Sequence, residues 1–289
     1  MYVHGNNIDS KLKNNKKYND SVSKKYLAEI KKKYMKWKEA NLTLIGPTAS
    51  ESDDEYSIIE KRVTLLNQYK DFIDQKQYAE KFDARSNLHS TVLEEFMFYL
   101  FKDTVENFSS NALVGHSDTF KDIFFMPKSF RDMIQAPNAQ IEEKSHDFII
   151  GINVIADMSS TGSSQTERIS IKVPAVAIEC KTYVDKTMIE GASSAGAQLT
   201  SRNPNALYIV VAEWLKLTES INLKKYQVDQ IYVLRKQKNT DREFRLLPSY
   251  DKQPIYPDTV YHLFRTVRNH LLADWYGGVA FGLERGYLI

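Results

Sequence analysis

Residues 174–181 read Pro174-Ala175-Val176-Ala177-Ile178-Glu179-Cys180-Lys181, an apolar run that ends abruptly in two charges around the single cysteine. A run of this kind is a buried-type strand, and Ile169 to Cys180 is read as one strand. Phe148 to Ala156 is a second β-branched run, and Ser159-Ser160-Thr161-Gly162-Ser163-Ser164-Gln165 between them has the composition of a turn. The two form an antiparallel hairpin. Centring the loop at Gly162-Ser163 places residue n opposite roughly 326 − n, so Asp147 falls opposite Glu179. Residues i and i+2 of a strand share a face, so Glu179 and Lys181 project together. Two carboxylates and an ammonium therefore converge at one point.

That convergence has a chemical use. Mg2+ prefers carboxylate, water and phosphate oxygens. It acidifies a bound water and neutralises charge on a phosphate under attack. A neighbouring lysine orients the water or stabilises the developing charge. Asp147 and Glu179 are the expected metal ligands, the Cys180 carbonyl is a further one, and Mn2+ is an acceptable substitute. Glu-x-Lys alone is more often a surface ion pair; its place at the end of a buried strand, opposite another acid, separates it from that case.

Outward from the hairpin, helical spacing appears over Ser23–Ala40, Glu55–Asp74, Leu88–Phe101, Lys186–Arg202 and Asp258–Trp275. Further strands are expected at Leu207–Trp214 and Ile231–Leu234. Ser90 is the expected N-cap of the third helix. Residues 1–20 read as a loose arm, 46–54 as a linker, and 107–142 as loops and short helices. The order predicts an α/β (α+β) fold, a mixed β-sheet flanked by helices, with a basic N-terminal arm and helical region over 1–80 and a nuclease domain over 81–289.

Asp147 with Glu179-Cys180-Lys181 after an apolar strand resembles the PD-(D/E)XK nuclease motif in its Glu-x-Lys form, with His146 where a proline often stands. The resemblance spans about residues 88–235 and implies a glutamate on the helix before the hairpin. Leu93-Glu94-Glu95-Phe96 supplies it, with Glu94 the first choice and Glu95 the rival. The Leu-Glu-Glu-Phe helix and the Ile-Glu-Cys-Lys-Thr segment resemble type II restriction endonucleases of the BbvCI and DdeI kind. This implies a site-specific, Mg2+-dependent endonuclease of double-stranded DNA, with catalytic Asp147, Glu179, Lys181 and Glu94. One centre per chain implies a homodimer, or a heterodimer with a related subunit. A repair or junction-resolving nuclease, or a non-catalytic DNA-binding protein of the same fold, are the competing expectations.

DNA contacts are expected from Lys186, Arg202 and Asn203, and a groove-reading loop from Gly115-His116-Ser117-Asp118. The overall charge is only +2, but eleven lysines against Asp20 and Glu29 between Lys11 and Lys38 make a local +9. The same charge suits a solvated helix face. One cysteine excludes a disulfide framework or a cysteine-rich zinc site. The six histidines have no metal-ligand spacing, and His146 is read as structural or DNA-facing. Gly191 to Gly196 lacks the Lys-Ser/Thr pair of a phosphate loop. No apolar run spans a membrane and no secretory leader is visible, so a cytoplasmic location is expected.

Overall fold

The computed structural model describes residues 2–82, 86–218, 220–238, 247, 249–275 and 279–287. Five strands form one sheet in the order β1 (Leu113–Phe125), β2 (Ala139–Met158), β3 (Glu167–Asp185), β4 (Leu207–Lys216) and β5 (Gln230–Val233). β1, β2 and β3 pair antiparallel, while β3, β4 and β5 run parallel, so the sheet is mixed. The helices are α1 (Val3–Lys13), α2 (Ser21–Thr43), α3 (Glu55–Ile73), α4 (Lys76–Lys81), α5 (Ser90–Phe108), α6 (Phe130–Gln135), α7 (Lys186–Arg202), α8 (Pro257–Leu272) and α9 (Val279–Arg285).

Alternation along β3 sorts the core into two layers. Val176, Ile178 and Cys180 face a large cluster with Phe96 and Phe101 of α5, Phe148 of β2 and Phe264 of α8. Ala177 faces a smaller cluster under α7, with Ile189, Leu199 and Tyr208. Helix α7 makes the crossover that parallel β3 and β4 require. The large cluster also takes Ile8, Leu27, Ile59 and Leu66 from the N-terminal helices, so packing runs without interruption across residue 80.

The expected register holds where it matters. Phe148 pairs with Ile178, Ile149 with Ala177 and Ile150 with Val176, each summing to 326. A bulge between Ile150 and Gly151 then moves the register by one, to Gly151 with Pro174. The strands are longer than expected, because β2 and β3 continue past each other to pair with β1 and β4. β2 also curls. Its 20 residues would span about 65 Å if straight. Instead, Glu167 at the hairpin tip accepts hydrogen bonds from the backbone N–H groups of Asn138 (2.8 Å) and Ala139 (3.0 Å), at the strand's own start.

Several local expectations are corrected. Residues 3–13 are a helix, not a loose arm: buried His4 bonds Thr91 (2.9 Å) and Tyr69 (2.6 Å), and Ile8 enters the core. The sequence there is polar, so packing against α5 rather than propensity makes this helix. Leu113–Phe125 is a strand, and Gly115-His116-Ser117-Asp118 lies within it at a bulge, not in a loop. Its half-exposed, charge-interrupted pattern hid it. The 46–54 segment is partly pinned. Buried Arg62 donates to the carbonyls of Asn41, Leu44 and Gly46, and Thr104 to that of Pro47. His89, not Ser90, is the N-cap of α5, without a side-chain capping bond.

Gly151 permits the bulge. A Cβ there would lie 2.4 Å from the Val173 carbonyl oxygen and 2.8 Å from the Pro174 Cα, both backbone. Gly151→Ala is expected to cost about 1–3 kcal/mol in urea unfolding. Gly191→Ala, on an open helix face with nothing within 4 Å, is expected to be neutral or stabilising by about 0.5–1 kcal/mol. Equal effects of the two would contradict the bulge.

Candidate active site

β2 and β3 part after the Phe148–Ile178 pair. Beyond it β3 is held by β4, where Glu179, Cys180 and Lys181 align with Val210, Val211 and Ala212. At this fork the Cys180 N–H would lose a partner from β2. The Asp147 carboxylate takes its place, with Oδ2 accepting that N–H at 2.8 Å. Strand alternation then directs Glu179 and Lys181 to one face, while the Cys180 thiol turns into the core.

Lys181 Nζ stands between the two acids, 2.9 Å from Asp147 Oδ2 and 2.9 Å from Glu179 Oε2. Burial works against its charge, but the two carboxylates outweigh burial and hold the ammonium above its ordinary pKa. Burial likewise pushes Glu179 up. His146 and the Lys181 ammonium pull it down further, to about 2, so it is a carboxylate at any working pH.

Glu94 and Glu95 separate onto different sides of α5. Glu94 lines a cleft of about 310 Å3 together with Asp147, Cys180, Lys181, His89 and Met188. Desolvation and the negative charges of Asp147 and Glu179 push its pKa up to about 8, against the opposing pull of Lys181. Glu95 faces away. It accepts hydrogen bonds from the Gly5 N–H (3.1 Å), Tyr34 (2.9 Å) and Tyr99 (2.5 Å), tying α1 and α2 to α5.

Three neighbours escaped the reading of the sequence. Tyr208, fully buried on β4, donates its hydroxyl to Glu179 Oε1 at 3.1 Å. Burial and the Glu179 charge raise the phenol's pKa, so it keeps its proton. Gly196 of α7 makes room for this ring, since a Cβ there would meet Tyr208 Cδ1 at 3.1 Å and the Gln227 carbonyl at 2.1 Å. His146 Nδ1 lies 3.6 Å from Glu179 Oε1. His116 Nδ1 lies 3.7 Å from Glu94 Oε2. No linear spacing links Tyr208 or His116 to the motif, because both arrive from other strands.

The residues expected to touch DNA are not gathered in one patch. Lys186 opens α7, with Nζ 3.9 Å from Glu190. Arg202 ends the same helix, about 24 Å along its axis, and pairs with Asp122 at 3.2 Å. Asn203 donates its amide to the Pro174 carbonyl at 2.8 Å.

Among the described residues, no group of three or more His, Cys, Asp or Glu side chains is assembled to hold a metal alone. The donors still suit a hard cation. Mg2+ takes only one or two protein carboxylates and keeps several waters, and Asp147 and Glu179 already share one cation, the Lys181 ammonium. Three carboxylates against one ammonium leave a deficit of positive charge, which the raised pKa of Glu94 expresses.

The model of the Bpu10I restriction endonuclease family matches residues 85–288. Among solved structures, a chain of the native BbvCI A2B2 tetramer superposes with a TM-score of 0.68. It covers 96% of this chain and 99% of its own, at 16% identity, a likeness of fold. Curated protein sequences give no match.

Glu94 has a pH signature. Its folded pKa, about 8, lies above the unfolded value of 4.5. The folded state therefore binds the extra proton between those limits. The resulting stability is full below pH 4.5 and is lost as pH rises through 8. In metal-free buffer, Glu94→Gln is expected to gain stability over the unmodified chain across that window, on the order of 4 kcal/mol by pH 9. A difference independent of pH would contradict the placement of Glu94.

Proposed function

This chain belongs to the Bpu10I restriction endonuclease family, and we propose that it is a catalytic subunit that hydrolyses phosphodiester bonds of double-stranded DNA with Mg2+. One observation carries the reading: Asp147 and Glu179 share a single cation at 2.9 Å each, at the fork where β2 leaves β3. Asp147 and Glu179 would hold the metal, with the Cys180 carbonyl as a further ligand. When bound, Mg2+ supplies Lewis acidity to a coordinated water and to the phosphate. Water adds to phosphorus, the bond to one ester oxygen breaks, and that oxygen takes up a proton.

The side chains around this reaction have separate tasks. Lys181 stays protonated, so it donates, holding the attacking water or a phosphate oxygen and offsetting the charge that develops there. Glu94, close to half-ionised near neutral pH, is suited to bind a metal-coordinated water or to exchange a proton with it. Tyr208 and His146 keep Glu179 in one orientation, as partners behind a metal-binding carboxylate do elsewhere. Lys186, Arg202 and Asn203 are proposed DNA contacts outside the cleft.

One such centre cuts one strand. The A2B2 assembly of BbvCI supports the reading that this chain also works with another subunit, a second copy or a related chain. Cleavage at a defined sequence follows from the family. The competing reading, a nuclease of branched or damaged DNA, has no observation in its favour.

Digestion of a long mixed-sequence DNA in Mg2+, with fragment ends sequenced, is expected to give discrete ends at one sequence, with a related subunit added if the chain alone nicks one strand. Asp147→Ala and Lys181→Ala should each slow cutting by about 10²–10⁴-fold while DNA binding is retained. Cutting at the normal rate by both variants would remove the site assignment. Tyr208→Phe is expected to raise the Mg2+ concentration for half-maximal cutting by about tenfold. A lower rate with an unchanged Mg2+ midpoint would limit Tyr208 to packing.

A further inference from the structure

The far end of the curled sheet carries apolar surface that the chain does not cover. Phe125 and Met126 end β1, Phe130 and Met133 lie on α6, and Ile152 and Val154 lie on β2 beyond the bulge. All six are exposed, Phe130 at 79%, Met126 at 65% and Ile152 at 55%. Helix α6 buries none of its residues.

These elements form one arm. The Met126 N–H donates to the Asn138 carbonyl at 3.0 Å. Ser160 of the hairpin loop donates to the Met133 carbonyl at 2.7 Å, and Glu167 holds the start of β2. The register past the bulge sets Ile152 opposite Val173, Val154 opposite Ile171 and Ala156 opposite Ile169. Directly opposed residues share a face, so one face of this hairpin is wholly apolar. Its reverse carries Asn153 with Lys172 and Asp157 with Arg168.

The size of this surface decides its meaning. The six side chains alone expose on the order of 600 Å2, already the upper end for the largest patch on a monomer. Phe124 and Ile134, also exposed, bring it to roughly the 800 Å2 that a standard interface takes from each partner. We propose that this arm is the dimerisation surface of the chain and that its occupant is the same arm of a second copy.

Charge argues for a second copy over a different partner. A two-fold contact sets a patch against itself, so any charge in its centre meets its own sign. The apolar face carries no charge between Ile152 and Met158 on β2, or between Ile169 and Val173 on its side of β3. Nucleic acid would instead demand basic side chains in the middle of the patch. The proposal rests on the reading of one cutting centre per chain for its purpose, and on the apolar area for its location.

Sedimentation of the full chain, without DNA or metal, separates the two. The unmodified chain is expected to dimerise at micromolar concentration. Met126→Glu with Phe130→Glu should raise the dimer dissociation constant at least about tenfold. Both positions are exposed, so far-UV circular dichroism and the thermal midpoint of the monomer should not change. Ile45→Glu, equally exposed at 79% but far along the chain in the pinned turn, should dimerise normally.

A chain that is monomeric alone and pairs only with a related subunit overturns the second copy as occupant. Arm variants that dimerise as the unmodified chain does overturn the location. So does a loss of DNA affinity in the arm variants with dimerisation intact, which would make the face a DNA contact. None of these results depends on cleavage, whose absence would count against the proposed function instead.

Discussion

The hydrogen bond from the Cys180 N–H to Asp147 holds the centre of the molecule together. The sheet changes partners at that point, β2 turning toward β1 and β3 toward β4. A parting of strands exposes backbone groups that must be satisfied. Asp147 satisfies one with a carboxylate oxygen, so a demand of the backbone also fixes an acid beside Glu179 and Lys181. Removing that carboxylate would disturb sheet and site together. For that reason retained DNA binding is the necessary control for any variant at position 147.

Charge balance around the fork gives each carboxylate its character. Glu179 touches Lys181, lies near His146 and is held low, while Glu94 has burial and two like charges against it and is held high. The difference arises from position, since both are glutamates in the same cleft wall. The next residue on α5 has no part in this. Helical geometry turns Glu95 about 100° away, into hydroxyls and an N–H supplied by α1, α2 and α5. A pair of adjacent acids is thus divided between a reactive cleft and a structural joint.

Much of this was legible in linear form. The apolar run into Glu179-Cys180-Lys181, the turn composition around Gly162 and the count across the hairpin led to Asp147, and the register through Phe148–Ile150 agrees. The long helices were legible from their spacing, because each buries one broad stripe. The first strand was not, because it is half-exposed along its length and breaks at Gly115 and at Phe120/Asp122. Helix α1 was not, because its buried residues include a histidine and a glycine, which carry no hydrophobic period. The clustering of Lys186 with Arg202 and Asn203 dissolved for a simple reason: a helix of 17 residues keeps its ends apart.

By itself the sequence determined the fold class, the family resemblance and the pair of facing acids, because strand alternation and hairpin pairing are local rules that act over a few residues. Only the tertiary structure decided that Glu94 rather than Glu95 enters the cleft, that Tyr208 steadies Glu179, and that an apolar arm stands uncovered. Each of those depends on how distant strands and helices meet. Contacts of that kind are set by packing and by the bend of a sheet, and leave no periodic trace along the chain.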